Sequence, residues 1–416
     1  MSSAQVRAPS HLVNVISESV QRGVDAGVLM QRATQETYHG RHVDIEGAQL
    51  LNFGGCSYLG LEQREELRTG AIEAIRRYGT QFSFSRAYLE SPLYRELEDH
   101  LDRLTGGFTL VSASTSLGHL ATLPVIIAEG DAVVVDRSGH ASLHMALSVL
   151  KGVHLESVAH NDMAALEARV VELSARHERV WYVLDGLYSM LGDFAPYAQI
   201  DALLSRHPQL SLYVDDAHAT SWMGLHGRGS ALGQLVNADR MVVALSLNKA
   251  FAAAGGAIVF PSQELRDRVR QCGGPMLFSG PVQPPMLGAA LASAKLHLEP
   301  SFGHLQAALM ERIQLMNTLC AEAGVPLVNH AKSPIFFVRC GPLDDTFRLL
   351  HAMRERGFFA CAGMFPAVPH DKSGPRFTVS THNTEEDIRA FVGALAREAR
   401  AVRVRFLDLA GGAAVV

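Results

Sequence analysis

Lys249 stands between two unlike stretches of chain. An apolar run, Met241 to Leu245, leads into Ser246-Leu247-Asn248-Lys249, and the small residues Ala252 to Gly256 follow. The pattern puts one lysine at the mouth of a buried strand with little side-chain bulk beside it. A strongly solvated ammonium is rarely placed there for packing, and a buried lysine readily serves as an amine nucleophile. A lysine that merely caps a strand end is the plainer alternative. A second group, Asp215-Asp216-Ala217-His218, follows another apolar run. Two carboxylates and a histidine could bind a metal, and His140 and His144 have the spacing of a ligand pair on a helix. The glutamate of an HExxH motif is missing, however, and no third ligand has an obvious spacing. Asp216 and His218 in satisfied core hydrogen bonds is the bland reading of this segment.

These side chains need elements to hold them. Short apolar runs alternate with helical periods along the chain. Val133 to Val135 ends at Asp136, Val180 to Leu184 at Asp185, Leu210 to Val214 at Asp215, and Met241 to Leu245 at Ser246. Runs that are polar only at their last residue suit strands of a parallel sheet buried on both faces. Helices must cover those faces. One is fully signposted: Ser91 as N-cap, Pro92 at the first position, Leu93, Leu97, Leu101 and Leu104 on one face, and Gly106 as the stop. The expected fold is α/β, a mostly parallel central sheet flanked by helices, with its ligand at the carboxyl ends of the strands. After Pro300 the texture changes to a long helical stretch, two strand-like pieces (Ile335 to Val338 and Arg376 to Val379) and a last helix from Thr384. The division expected is a helical arm over 1–50, a large domain over 51–290 and a smaller C-terminal α+β domain over 291–416.

Composition narrows the function. Of 416 residues, 48% are hydrophobic and 19% charged, which is ordinary for a globular chain. A net charge of -5 without a basic cluster argues against nucleic acid as a partner. The five cysteines are scattered and show no CxxC spacing, which suits free thiols in a reducing compartment. Met1 to Pro9 lacks an apolar signal core, and no stretch reaches membrane-spanning length. A cytoplasmic protein is expected.

A further reading uses the pieces together. A strand-end aspartate, a strand-end lysine and a Ser/Thr-rich turn before a helix (Ser112 to Ser116) are the parts of a pyridoxal-phosphate site. The lysine holds the aldehyde as an imine, the aspartate pairs with the ring nitrogen, and the turn holds the phosphate. Between roughly residues 50 and 400 the chain also resembles the α-oxoamine synthase family of fold-type-I pyridoxal-phosphate enzymes. The stretches that carry the resemblance occur in order: Asn52-Phe53 with Tyr58 to Leu61, Asp136 to Leu143, His160 to Asp162, Asp185 to Asp193 with Pro196, Val214 to His218, Gly224 to Gly229, and the Lys249 segment. The resemblance implies that Lys249 binds the cofactor and moves protons at the substrate α-carbon. It implies that Asp215 pairs with the ring nitrogen, that His140 stacks on the ring, and that Ser189 and His218 lie near the ring hydroxyl. Ser246, Ser114 and Thr115 take the phosphate side. Ser279 is implied as a residue lent by the neighbouring subunit of a homodimer, and Arg376 as the fork for the amino-acid carboxylate.

The departures from the family fall on the substrate side. The glycine-rich stretch before the Ser85-Arg86 pair carries Phe82 and Phe84, and the loop after it, Ala87 to Ser91, is shortened. Tyr94 replaces a histidine, Cys56 an asparagine placed near the substrate carboxylate, and Ser114-Thr115 a Gly-aromatic pair. Cys56 and Arg86 are the substrate-side candidates beside Arg376. The resemblance implies an acyltransferase that joins an α-amino acid to an acyl thioester, on coenzyme A or a carrier protein, and releases carbon dioxide. Transamination, aldol cleavage and simple decarboxylation on the same cofactor remain alternatives, as does a non-enzymatic or metal-binding role.

Overall fold

The computed structural model describes residues 10–235, 237–404, 406–407 and 413–414. Met1 to Pro9, read above for a signal core, lie outside the described residues. The chain forms two compact units, one of residues 56–189 and 193–309 and the other of residues 1–55, 190–192 and 310–416.

The first unit is built on a seven-stranded sheet. Its spatial order is Phe108–Ser112, Gly256–Phe260, Met241–Ser246, Leu210–Asp215, Val180–Asp185, Ala132–Asp136 and His154–Val158. The five strands from Met241–Ser246 to His154–Val158 pair in parallel, and Gly256–Phe260 runs against both its neighbours. Parallel neighbours need a crossover connection, and the short segment Leu247–Gly255 is not one, so the chain turns straight back. Lys249 rides on that turn.

Side chains alternate across the sheet and build a separate core on each face. Val134, Tyr182, Leu212, Val214 and Val243 enter one core; Val133, Trp181, Val183, Tyr213 and Val242 enter the other. Burial on both faces explains why these strands read as continuous apolar runs. The Pro92–Thr105 helix forms as its signals require: the Ser91 hydroxyl accepts from the Leu93 amide, the four leucines are buried, and Gly106 closes the helix at φ 77°.

The second unit holds two three-stranded sheets. In one, the hairpin of His42–Ile45 and Ala48–Asn52 is extended by Phe358–Phe359 in parallel. In the other, Gly374–Thr378 lies between Ile335–Phe337 and Cys361–Gly363. Residues 10–50 therefore hold one helix, His11–Asp25, and a hairpin turning at Glu46-Gly47, where both φ angles are positive. This segment, read above as a helical arm, groups with the C-terminal residues, where Phe53 stacks on Phe391 (4.2 Å) and packs edge-on to Phe358. A capping box of Thr384 and Asp387 starts the Glu385–Ala401 helix. No described helix is long and apolar enough to cross a membrane.

Candidate active site

The carboxyl ends of three parallel strands and the starts of two helices line a cavity of about 140 Å³. Asp215, Asp185 and Ser246 close their strands there. Ser114, Thr115 and Ser116 begin the Thr115–Ile126 helix, and His140 and Ser142 begin Ala141–Leu147. Lys249, half-buried, completes the wall with Asn248 and His218. Lys249, His140, Asp215, His218, Ser114, Thr115 and Ser246 are thus brought together from four separate stretches of chain.

Asp215 is buried, and each oxygen is fixed. Oδ2 lies 2.9 Å from His119 Nε2, and Oδ1 accepts from the Ala217 amide. Burial works to raise its pKa, but His119, Lys249 and His140 outweigh it and hold the carboxyl well below the usual range. His140 caps its helix: its Nδ1 is 2.7 Å from the Ser142 hydroxyl, and its amide donates to Asp185 Oδ1 at 2.9 Å. Burial holds its pKa below the ordinary histidine value, Asp215 opposes this and Lys249 assists it. A neutral flat ring is the result. His218 is held by the Tyr58 hydroxyl at 2.9 Å. Asp216, one residue from Asp215, faces elsewhere and accepts from the Ser230 and Ala231 amides, so it serves the core as the bland reading expected.

The Lys249 turn is pinned from both sides. Asn248 Oδ1 accepts from the Gly255 amide at 2.6 Å, and the Ala252 and Ala253 amides donate to the Lys249 and Leu247 carbonyls. Ala252 adopts φ 62°, a left-handed conformation that costs an alanine about 1–2 kcal/mol.

The phosphate end is a helix start. The Ser114 hydroxyl accepts from the Leu117 amide and the Thr115 hydroxyl donates to the Leu245 carbonyl, which ties the turn to the strand that leads to Lys249. The first amides of a helix have no intrahelical partner and attract an anion. A side chain on Gly256 would lie 2.5 Å from the Thr115 backbone nitrogen, so only glycine lets the reversed strand lie against this turn. A buried anionic carboxylate, a neutral histidine ring, a lysine and a phosphate cradle in one cavity fit pyridoxal 5′-phosphate.

Other expected residues lie elsewhere. Ser189 is half-buried beyond the cavity wall, where Leu187 takes part in its place. Ser279 donates to the Pro275 carbonyl and lines a different groove with Phe82, Phe84 and Phe278. Cys56 is half-buried near Tyr58 in sequence and does not line the cavity. The Arg86 guanidinium pairs with Glu90 and Glu98 and donates to the Val111 carbonyl, which anchors its loop. Arg376 is buried in the Gly374–Thr378 strand of the other unit. Among the described residues no group of three His, Cys, Asp or Glu could hold a metal ion.

Sequence reasoning missed His119 and gave Asp185 no role. The strand-end rule that selected Asp215 applies equally to Asp185. His119 stands on a buried face of the Thr115–Ile126 helix, where a polar side chain needs a buried partner.

Fold and site together define a fold-type-I pyridoxal-phosphate enzyme. A family model described as aminotransferase class I and II matches residues 48–395. An 8-amino-7-oxononanoate synthase of Dechloromonas aromatica is 34% identical over 378 residues, covering 89% of this chain and 95% of that protein. One from Maricaulis maris is 33% identical, covering 86% of this chain and 90% of that protein. Among solved structures, a serine palmitoyltransferase of S. paucimobilis with bound PLP and myriocin superposes with a TM-score of 0.86 at 22% identity, covering 96% of this chain and 100% of that one. An 8-amino-7-oxononanoate synthase of Francisella tularensis gives 0.72 at 19% identity, over 85% and 99%. The chain belongs to the class I and II aminotransferase family, in its α-oxoamine synthase branch.

Proposed function

We propose that this protein joins an α-amino acid to an acyl thioester with loss of carbon dioxide, giving an α-amino ketone. The observation that carries the reading is the meeting of Lys249 and Asp215 in one cavity, in a chain related to oxononanoate synthases over nearly their full length.

Lys249 would hold pyridoxal phosphate through Nζ, Asp215 at the ring nitrogen, His140 at the ring face, His218 and Ser189 near the ring hydroxyl, and the Ser114 turn with Ser246 at the phosphate. The bound group supplies an electron-poor ring that stabilises negative charge beside the substrate amino group. Lys249 Nζ takes the proton from the amino-acid α-carbon and returns one to the product. Asp215, kept ionised by His119, offers the ring nitrogen a fixed counter-charge. His140 presents a neutral face that does not repel a cation. The apolar walls at Leu187 and Ala217 limit water around the proton transfer.

The reading includes a homodimer in the cytoplasm, with Ser279 lent to the neighbouring site and Arg376 as a two-pronged fork for the substrate carboxylate. Cys56 belongs to the substrate side. Coenzyme A or a carrier protein bears the acyl group.

Purified protein loaded with pyridoxal phosphate should, with one amino acid and one acyl thioester from a panel, release one carbon dioxide and one free thiol per amino ketone formed. Stable pyridoxamine phosphate or a released aldehyde, with no condensation across the panel, would overturn the reading.

A further inference from the structure

Behind the cavity lies a buried chain of three side chains from two elements. Asp215 Oδ2 and His119 Nε2 are 2.9 Å apart, and His119 Nδ1 is 2.8 Å from the Tyr213 hydroxyl. Asp215 and Tyr213 belong to the same strand, two residues apart and therefore on the same face. His119 comes from the second turn of the Thr115–Ile126 helix, whose first turn forms the phosphate cradle. His119 and Tyr213 are wholly buried, and their rings meet edge-on at 5.6 Å. The neighbouring Gly118 has no room for a side chain, because a Cβ there would lie 2.9 Å from Ile258 and from the Ser112 hydroxyl, so the helix lies hard against the sheet at this point.

The chemistry of the partners fixes the proton pattern. An ionised carboxylate only accepts, so Nε2 must carry a hydrogen. Nδ1 meets the Tyr213 hydroxyl, which can give or accept a hydrogen and so holds the ring from its other side. One helix thus lines the cavity with its first turn, which would hold the phosphate, and touches the Asp215 carboxylate with its second.

We propose that His119, held by Tyr213, is a positioning residue that aims the Asp215 carboxylate at the nitrogen of the bound pyridine ring. The inference rests on the pyridoxal-phosphate reading of the cavity. Without the imidazole, one oxygen of Asp215 is left buried with no donor, and the carboxylate turns or takes up a proton. A merely space-filling histidine would tolerate any side chain of similar volume.

The test uses full-length His119→Leu, His119→Gln and Tyr213→Phe, with pyridoxal phosphate as the probe. Its dissociation constant is measured by equilibrium dialysis, and the visible absorption band is recorded. Gln places an amide nitrogen close to the position of Nε2. His119→Leu should bind about 10- to 100-fold more weakly with a shifted band, as expected for a lost hydrogen bond to a charged group. His119→Gln should recover most of the affinity and the wild-type band. Tyr213→Phe should change both in the direction of His119→Leu, by less. Wild-type affinity and spectrum in folded His119→Leu, or an equal loss in His119→Gln and His119→Leu, overturns the proposal. If His119→Leu fails to fold, Tyr213→Phe with wild-type affinity and band overturns it, and a shifted band with weaker binding supports it. Wild-type protein that retains no pyridoxal phosphate defeats the reading of the cavity itself, independently of every variant.

Discussion

Asp185 and Asp215 are register partners at the ends of adjacent parallel strands, and both are buried against the same cavity. Neighbouring carboxylates in a low-dielectric site do not both ionise readily. Burial pushes both upward; His119, Lys249 and His140 pull Asp215 down, while the charge on Asp215 adds to the rise at Asp185. Two chemically equal residues are thereby driven in opposite directions, Asp185 towards holding a proton and Asp215 towards losing it.

The two should respond differently to the same change. Asp215→Asn removes the counter-charge and should lower kcat by on the order of 100-fold in a folded protein. Asp185→Asn keeps an acceptor for the His140 amide and removes little charge, so kcat should stay within about threefold. Steady-state kinetics on both variants checks this, and equal losses would contradict the sorting.

Lys249→Ala should fold normally, because the half-buried side chain is not part of either core. It should lose the visible band of the lysine-bound cofactor and all detectable turnover. Borohydride reduction followed by peptide mass mapping should label position 249 in wild type and no position in the variant.

Ala252→Gly should stabilise the protein. The left-handed φ of 62° is strained for alanine and free for glycine, and the gain is about 1 kcal/mol less part of the extra backbone entropy of glycine. A higher thermal midpoint is expected, and a lower one would show that the alanine methyl makes a compensating contact.

His160 predicts a pH dependence of stability. Its Nε2 lies 2.8 Å from Asp193 and its Nδ1 3.3 Å from Asp136. Burial alone would lower its pKa, but the two aspartates outweigh this and raise it to about 9. The unfolded value is about 6.5, so the proton is held more tightly in the folded state. The contribution is fully present below about pH 6.5 and is lost as pH rises through about 9. Denaturant unfolding of wild type and His160→Asn should show a gap that is wide near pH 6, narrows between about pH 6.5 and 9, and stays small above that.

Local rules in the sequence determined a good deal. Ser91, Pro92 and Gly106 marked a helix, because caps depend on immediate neighbours. Apolar runs ending at Asp136, Asp185, Asp215 and Ser246 marked parallel strands, because burial on both faces removes polar alternation. The strand-end position of Lys249 and Asp215 followed, and with it the chemistry of the cavity. Tertiary structure decided the rest. Strand pattern alone does not tell Asp215 from Asp216, since adjacent residues leave a strand on opposite sides; the motif resemblance pointed to Asp215, and the fold puts Asp215 in the cavity wall and Asp216 in the core. Only packing could bring His119 under Asp215, 96 positions away, or turn Arg86 inward to Glu98. Pairing of Ala48–Asn52 with Phe358–Phe359 is likewise a long-range choice. Such contacts are selected by the fit of whole surfaces, which no short window of sequence contains.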